Sequence, residues 1–151
     1  MTKRTEQTEQ YVTHSEEETY RLGMTLADRF HGGDVVLLEG ELGVGKSVFI
    51  RGVAYSKGIT EPMPSPTFTI VNQYVSPSNT VTINHFDFYR INDPFELYEI
   101  GFEEYIYTDG SISFIEWPSK GEELLPKNAI QIRITIDDDN ARLIDIDWRH
   151  S

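Results

Sequence analysis

A three-layer α/β fold, with a mixed β-sheet between helices, is predicted by three observations. Val35 to Leu38 is a short, uninterrupted apolar run after a turn, the pattern of a strand buried on both faces. A glycine-rich loop leads from it directly into a helix-forming segment. Residues 129–136 instead alternate, with Ile130, Ile132, Ile134 and Ile136 on one face, the period of a strand with one apolar side. Buried strands and alternating strands together require a sheet that is neither purely parallel nor purely antiparallel.

Bulk composition narrows the class. The 151 residues suffice for one sizeable core, and 38% hydrophobic with 25% charged residues is a globular composition. A net charge of -12, from 25 acidic against 13 basic residues, argues against direct nucleic-acid binding, which needs basic patches. It fits a basic protein partner or simply a solvated surface. With no cysteine, disulfides and cysteine zinc sites are excluded. Residues 1–12 are polar, lack the apolar run of a signal peptide, and are expected to be a disordered N-terminus ahead of a single domain over 13–151. No stretch approaches the roughly 20 apolar residues that cross a bilayer. The chain reads as cytoplasmic, with no membrane partner.

The elements follow in order. Ser15 with Glu18 three residues on forms a capping box, and Leu22, Leu26 and Phe30 continue as an apolar helical stripe until Gly32-Gly33. Lys46 to Lys57 reads as a helix closed by Gly58. Residues 68–75 and 80–86 read as strands around the turn Ser76-Pro77-Ser78-Asn79. Asp93 caps a helix with Pro94 first and Glu96 third, interrupted at Gly101. Residues 111–115 form a buried strand ending at Glu116. Leu143, Ile144, Ile146 and Trp148 lie beyond the Asp137-Asp138-Asp139-Asn140 turn and close a terminal hairpin with 129–136.

The loop between the first strand and its helix carries the chemistry. Gly40-Glu41-Leu42-Gly43-Val44-Gly45-Lys46-Ser47 satisfies G-x-x-x-x-G-K-[ST] at every position. Its glycines let the backbone from Glu41 to Gly45 curl so that N–H groups face phosphate oxygens, and the helix start adds a positive dipole end. Lys46 reaches the β- and γ-phosphates and the Ser47 hydroxyl ligates magnesium, so the expected ligands are ATP and Mg2+.

Such a loop needs a carboxylate at a neighbouring strand end to organise the metal and the attacking water. Glu116 and Asp87 both stand at strand ends, and either could instead be a solvated acid. Thr67, in Ser65-Pro66-Thr67, is a γ-phosphate-sensing hydroxyl or a turn cap. His85 reads as a strand-packing histidine, and Phe86, Phe88 and Tyr89 as packing aromatics. Trp117 belongs either to the core or beside the nucleotide or a partner; Arg142 is an exposed hairpin arginine or lies against a base or phosphate.

Taken in order, GELGVGKS (40–47), SPTF (65–68), HFDFYRI (85–91), ELYEIGFEEY (96–105) and FIEWP (114–118) resemble the bacterial TsaE family over about Thr13 to Trp148. The resemblance implies a small P-loop ATPase that assists synthesis of N6-threonylcarbamoyladenosine at position 37 of tRNAs reading codons that start with A. It implies action on the TsaB–TsaD transferase pair, with tRNA met only through that complex. It also implies phosphate binding by Gly43, Gly45, Lys46 and Ser47, magnesium on Ser47 and Glu116, and Asp87 orienting water or the metal shell beside them. Thr67 would respond to the γ-phosphate, and Thr13 and Arg142 would flank the base. The family often has Asp at Glu41, Ala at Val44 and Thr at Ser47; a serine hydroxyl serves magnesium equally.

The alternatives differ in class. A small-molecule kinase on the same fold usually needs several arginines to clamp its phosphates; eight occur, with no arginine-rich lid. A GTPase is disfavoured by the absence of N-K-x-D and of D-x-x-G after the loop. A non-enzyme adaptor using ATP only to fold or dock would share most of these residues.

Overall fold

Four parallel strands in the middle of one sheet set the position of every functional side chain. The computed structural model describes residues 8–41, 43–63 and 70–148. These form β1 (Thr8–Thr13), α1 (Glu16–Leu26), β2 (Val35–Glu39), α2 (Lys46–Ser56), β3 (Val71–Val75) and β4 (Thr82–Asp87). After them come α3 (Phe95–Glu99), α4 (Phe102–Ile106), β5 (Ser111–Glu116), β6 (Ile130–Ile136) and β7 (Arg142–Asp147). Short 3-10 helices occupy Ala27–Arg29 and Pro118–Leu124. The strand order is β1-β7-β6-β2-β5-β4-β3. β6, β2, β5 and β4 run parallel; β3 and β7 flank them antiparallel, and β1 pairs antiparallel with β7. This is the predicted mixed α/β architecture.

Side-chain alternation divides the interior in two. Val36 and Leu38 of β2 join Phe49, Ile50 and Val53 of α2 on one face of the sheet. Val35 and Leu37 face the other way, toward Leu97 of α3 with Phe102 and Ile106 of α4. β5, between β2 and β4, is buried at all six positions. On the first face α1 lies so close to α2 that a Cβ on Gly52 would strike the Tyr20 carbonyl, and one on Gly23 the Phe49 carbonyl. Backbone meets backbone there, so α2 is held in place by α1 as well as by the sheet.

Three elements differ from the sequence expectation. Residues 8–12 belong to β1 rather than to a disordered terminus, because β1 pairs with β7 along its whole length, from Thr8↔Asp147 to Thr13↔Arg142. Glu9 is tied further: its Oε1 accepts from Arg29 Nη1 at 2.7 Å and from Trp148 Nε1 at 3.2 Å. α1 stops at Leu26 instead of continuing to Gly32. Phe30 leaves the helical path to meet the rings of Phe49, Phe114 and Trp148 at centroid distances of 6.2, 5.6 and 5.1 Å. A fully buried phenylalanine contributes about 3–5 kcal/mol against truncation, more than a continued helical turn provides. β3 begins at Val71, directly after Ile70 at φ 70°, and Phe68 and Thr69 lie outside the described residues. Among the described residues, no helix is long and apolar enough to cross a membrane.

Candidate nucleotide site

The carboxyl ends of β2, β5 and β4 lie at one edge of the sheet, where open α/β sheets bind their ligands. Register fixes this: Leu38 is paired with Glu116 and Asp87 with Glu116. From that edge β2 enters the glycine-rich loop and α2 begins at Lys46. Gly45 holds the helix start at φ 110°, ψ 16°, a left-handed conformation that a Cβ would strain. No side chain caps α2 and no acidic residue occupies its first turn, so its leading amides and dipole face outward unneutralised. Within the loop the Val44 amide donates to the Glu41 carbonyl at 3.3 Å, and Gly43 takes φ 85°. Leu42 lies outside the described residues.

Lys46 is 4% exposed and folds back over the loop, donating to the Gly40 carbonyl at 2.6 Å. Its Nζ is 3.7 Å from Glu116 Oε1 and 4.6 Å from the centre of the Trp117 ring. Burial pushes the ammonium below its ordinary value, and the charges of Glu116 and Asp87 offset only part of that. The lysine is therefore a desolvated cation bonded to a neutral carbonyl and open to Glu116, which an arriving phosphate would satisfy better.

Glu116 is the hub of the described site. Its Oε2 accepts from His85 Nε2 at 2.6 Å and lies at a long 3.4 Å from Ser47 Oγ. Burial alone would raise its carboxyl, but the hydrogen bond and charge of His85, with Lys46 and Ser47, outweigh it and hold the group below the ordinary carboxylate range. Asp87 stands beside it on β4, buried, its Oδ1 accepting the Tyr89 amide at 2.9 Å. The described residues contain no group of three or more His, Cys, Asp or Glu able to hold an ion. One hydroxyl and one carboxylate beside a phosphate loop is nonetheless the donor set magnesium takes when phosphates complete its shell, so the residues fit that ion.

The remaining predicted residues assemble around the same loop, with one outside view. Thr13 is buried and shares a 2.7 Å hydroxyl–hydroxyl hydrogen bond with Thr19 of α1. Thr13 is also the register partner of Arg142, whose Nε would lie 3.9 Å from a Cβ on Gly45. Arg142 thus borders the loop at Gly45, with Thr13 paired to it across the β1–β7 ladder. Glu41 is exposed and lines a cavity of about 580 Å³ that runs from Gly40 and Val44 to Trp117 and Arg133–Ile136. Thr67 lies outside the described residues. Phe86 and Phe88 pack against Phe102 as expected, whereas Tyr89 meets Trp117 at 5.1 Å with the rings tilted by 54°. Trp117 itself is only half-buried, at φ 58°, ψ 51°, and both packs against the second core cluster and meets the lysine.

His85 is what the sequence reading missed. It was expected to pack; it is buried and bonded to Glu116. A signal existed, since His85 and Asp87 are two apart on one strand and share a face. Reading it required knowing that β4 and β5 are neighbours in register.

Comparison with known proteins agrees with this fold. The family described as threonylcarbamoyl adenosine biosynthesis protein TsaE matches residues 13–144. The Rickettsia conorii protein named tRNA threonylcarbamoyladenosine biosynthesis protein TsaE is 38% identical over 141 residues, covering 93% of this chain and 78% of that one. The Bacillus subtilis protein of the same name is 38% identical over 132 residues, 87% of this chain and 80% of its own. That of Treponema pallidum is 33% identical over 135 residues, 89% and 97%. Among solved structures, Bacillus subtilis YdiB superposes with a TM-score of 0.76 at 32% identity, covering 92% of this chain and 84% of that one.

Proposed function

Because the chain belongs to the TsaE family, whose fold is of the P-loop NTPase type and whose members bind nucleotide, we propose that it hydrolyses Mg-ATP in support of N6-threonylcarbamoyladenosine formation at adenosine 37 of tRNAs reading codons that begin with A. The observation that carries the reading is the meeting of Lys46, Ser47 and Glu116 at an uncapped helix start.

In this proposal the leading amides of α2 and the Lys46 ammonium hold the β- and γ-phosphates, the lysine leaving the Gly40 carbonyl to do so. Ser47 and Glu116 hold magnesium, which neutralises developing phosphate charge when bound. Asp87 orients the attacking water, and Thr13 and Arg142 flank the base. Thr67 answers to the γ-phosphate. The partner is the TsaB–TsaD pair, reached in the cytoplasm, with tRNA engaged only through it; the net charge of -12 favours a basic protein surface over a nucleic acid.

Steady-state ATP hydrolysis with and without purified TsaB–TsaD tests this, with Lys46→Ala as background. Slow turnover alone, raised by the pair and absent in the variant, is expected. High turnover by the isolated chain would refute the accessory role.

The cavity beside Trp117 favours a second reading, a small-molecule kinase with an acceptor there. Its lining carries Glu39 and Glu41, and its Arg133 is paired with Glu39 at 2.9 Å, which suits a cationic or neutral acceptor better than an anionic one. Phosphoryl transfer to a metabolite in a screen would establish it.

A further inference from the structure

We propose that His85 is a positioning residue that fixes Glu116 for magnesium. This rests on the Mg-ATP reading of the site. The 2.6 Å contact places a proton on Nε2, because the Glu116 carboxylate that faces it can only accept. Its other nitrogen, Nδ1, is buried with no hydrogen-bond partner among the described residues. A side chain present only to pack would be phenylalanine or leucine, which leaves no polar atom orphaned in a core. The imidazole is retained for the one bond it makes.

That bond decides where the carboxylate points. Lys46 does not anchor Glu116, since their ion pair is open at 3.7 Å and the lysine's short bond goes to the Gly40 carbonyl. Ser47, at 3.4 Å, is too distant to fix it. Among the described residues His85 alone grips the group at full hydrogen-bond strength, on the same Oε2 that faces the Ser47 hydroxyl. The backbone supports the grip: His85 and Glu116 are on adjacent parallel strands, both without a gap in the ladder. Oε1 is left toward the lysine and the loop. A carboxylate oriented through an outer hydrogen bond is a recurrent way to sharpen metal affinity, and its loss typically costs about 10–100-fold.

The test is a Mg2+ titration of ATP binding by calorimetry, on the full chain and on His85→Phe and His85→Gln. Phenylalanine keeps the ring volume without the donor, and the glutamine amide can place an N–H near Nε2. Expected is a rise of about 10–100-fold in the half-saturating Mg2+ for His85→Phe. His85→Gln is expected to stay within about threefold of the unaltered chain, and ATP affinity in EDTA is expected to be alike in all three. A wild-type Mg2+ requirement in folded His85→Phe overturns the proposal, as does a His85→Gln variant no better than it. Should His85→Phe fail to fold, His85→Asn, too short to reach Glu116, takes its place against His85→Gln with the same outcomes. An unaltered chain whose ATP binding ignores Mg2+ altogether would instead overturn the Mg-ATP reading itself.

Discussion

α1 and α2 are each eleven residues long, lie side by side on one face of the sheet, and begin in opposite ways. At the start of α1, Ser15 Oγ accepts the Glu18 amide at 3.1 Å, and Glu18 Oε1 accepts the His14 amide at 2.7 Å. Glu16, Glu17 and Glu18 add negative charge against the dipole. The start of α2 has a left-handed glycine, no cap and no acid. Its anion-compensating groups are missing from its own sequence, and the nearest carboxylate comes from β5, one lysine away. A helix that serves only the fold satisfies its amides locally. One that leaves them open forgoes about 0.5–2 kcal/mol of capping and keeps that capacity for a ligand.

The widest separation between the two helix starts should come from Lys46→Ala. ATP affinity is expected to fall at least about 100-fold, about 2.8 kcal/mol at 1.4 per decade. The melting temperature should change little, since burial already opposes the lysine's charge. Calorimetry and a thermal melt on one preparation check both, and retained affinity would dissolve the contrast. Next in size, Ser15→Ala should remove about 1 kcal/mol of stability in a denaturant titration. It should leave ATP affinity unchanged; a drop in affinity would mean that the start of α1 also serves the ligand.

The smallest expected effect is a pH dependence carried by the carboxylate near α2. Glu116 titrates in the folded state below its ordinary value of 4.5, so on acidification the unfolded chain takes up its proton first. Its contribution to stability is therefore full above about pH 4.5 and drains away as pH falls through the lower folded value. Acid unfolding curves of the unaltered chain and of Glu116→Gln should differ in slope only in that acidic window. Parallel curves there would show that the carboxyl is not depressed.

What the sequence made legible was local. The cap at Ser15, the loop at 40–47, the alternation at 130–136 and the strand-end acids are each written within about ten residues, the range over which periodicity and capping operate. The parts that escaped depend on distant partners. β1 is a polar edge strand, Thr-Glu-Gln-Tyr-Val-Thr, with few apolar residues to announce it, and its pairing lies with β7. The end of α1 at Leu26 is set by the rings that Phe30 reaches, from α2, β5 and the chain just past β7. His85 and Trp117 took their meaning from neighbours on β5 and α2, so their chemistry was invisible until register and packing were known.

The pairing of β1 with β7 also imposes an order in time. Gln10 bonds to Asp145, 135 positions later, and Thr13 pairs with Arg142 next to the glycine loop. On a ribosome the first strand must wait for nearly all of the domain to emerge before it can find its place, the slow step expected of long-range pairing. The glycine loop is one continuous segment of chain, whereas the Thr13–Arg142 pairing beside it joins residues from opposite ends of the domain. That border therefore forms only once β7 has cleared the ribosome.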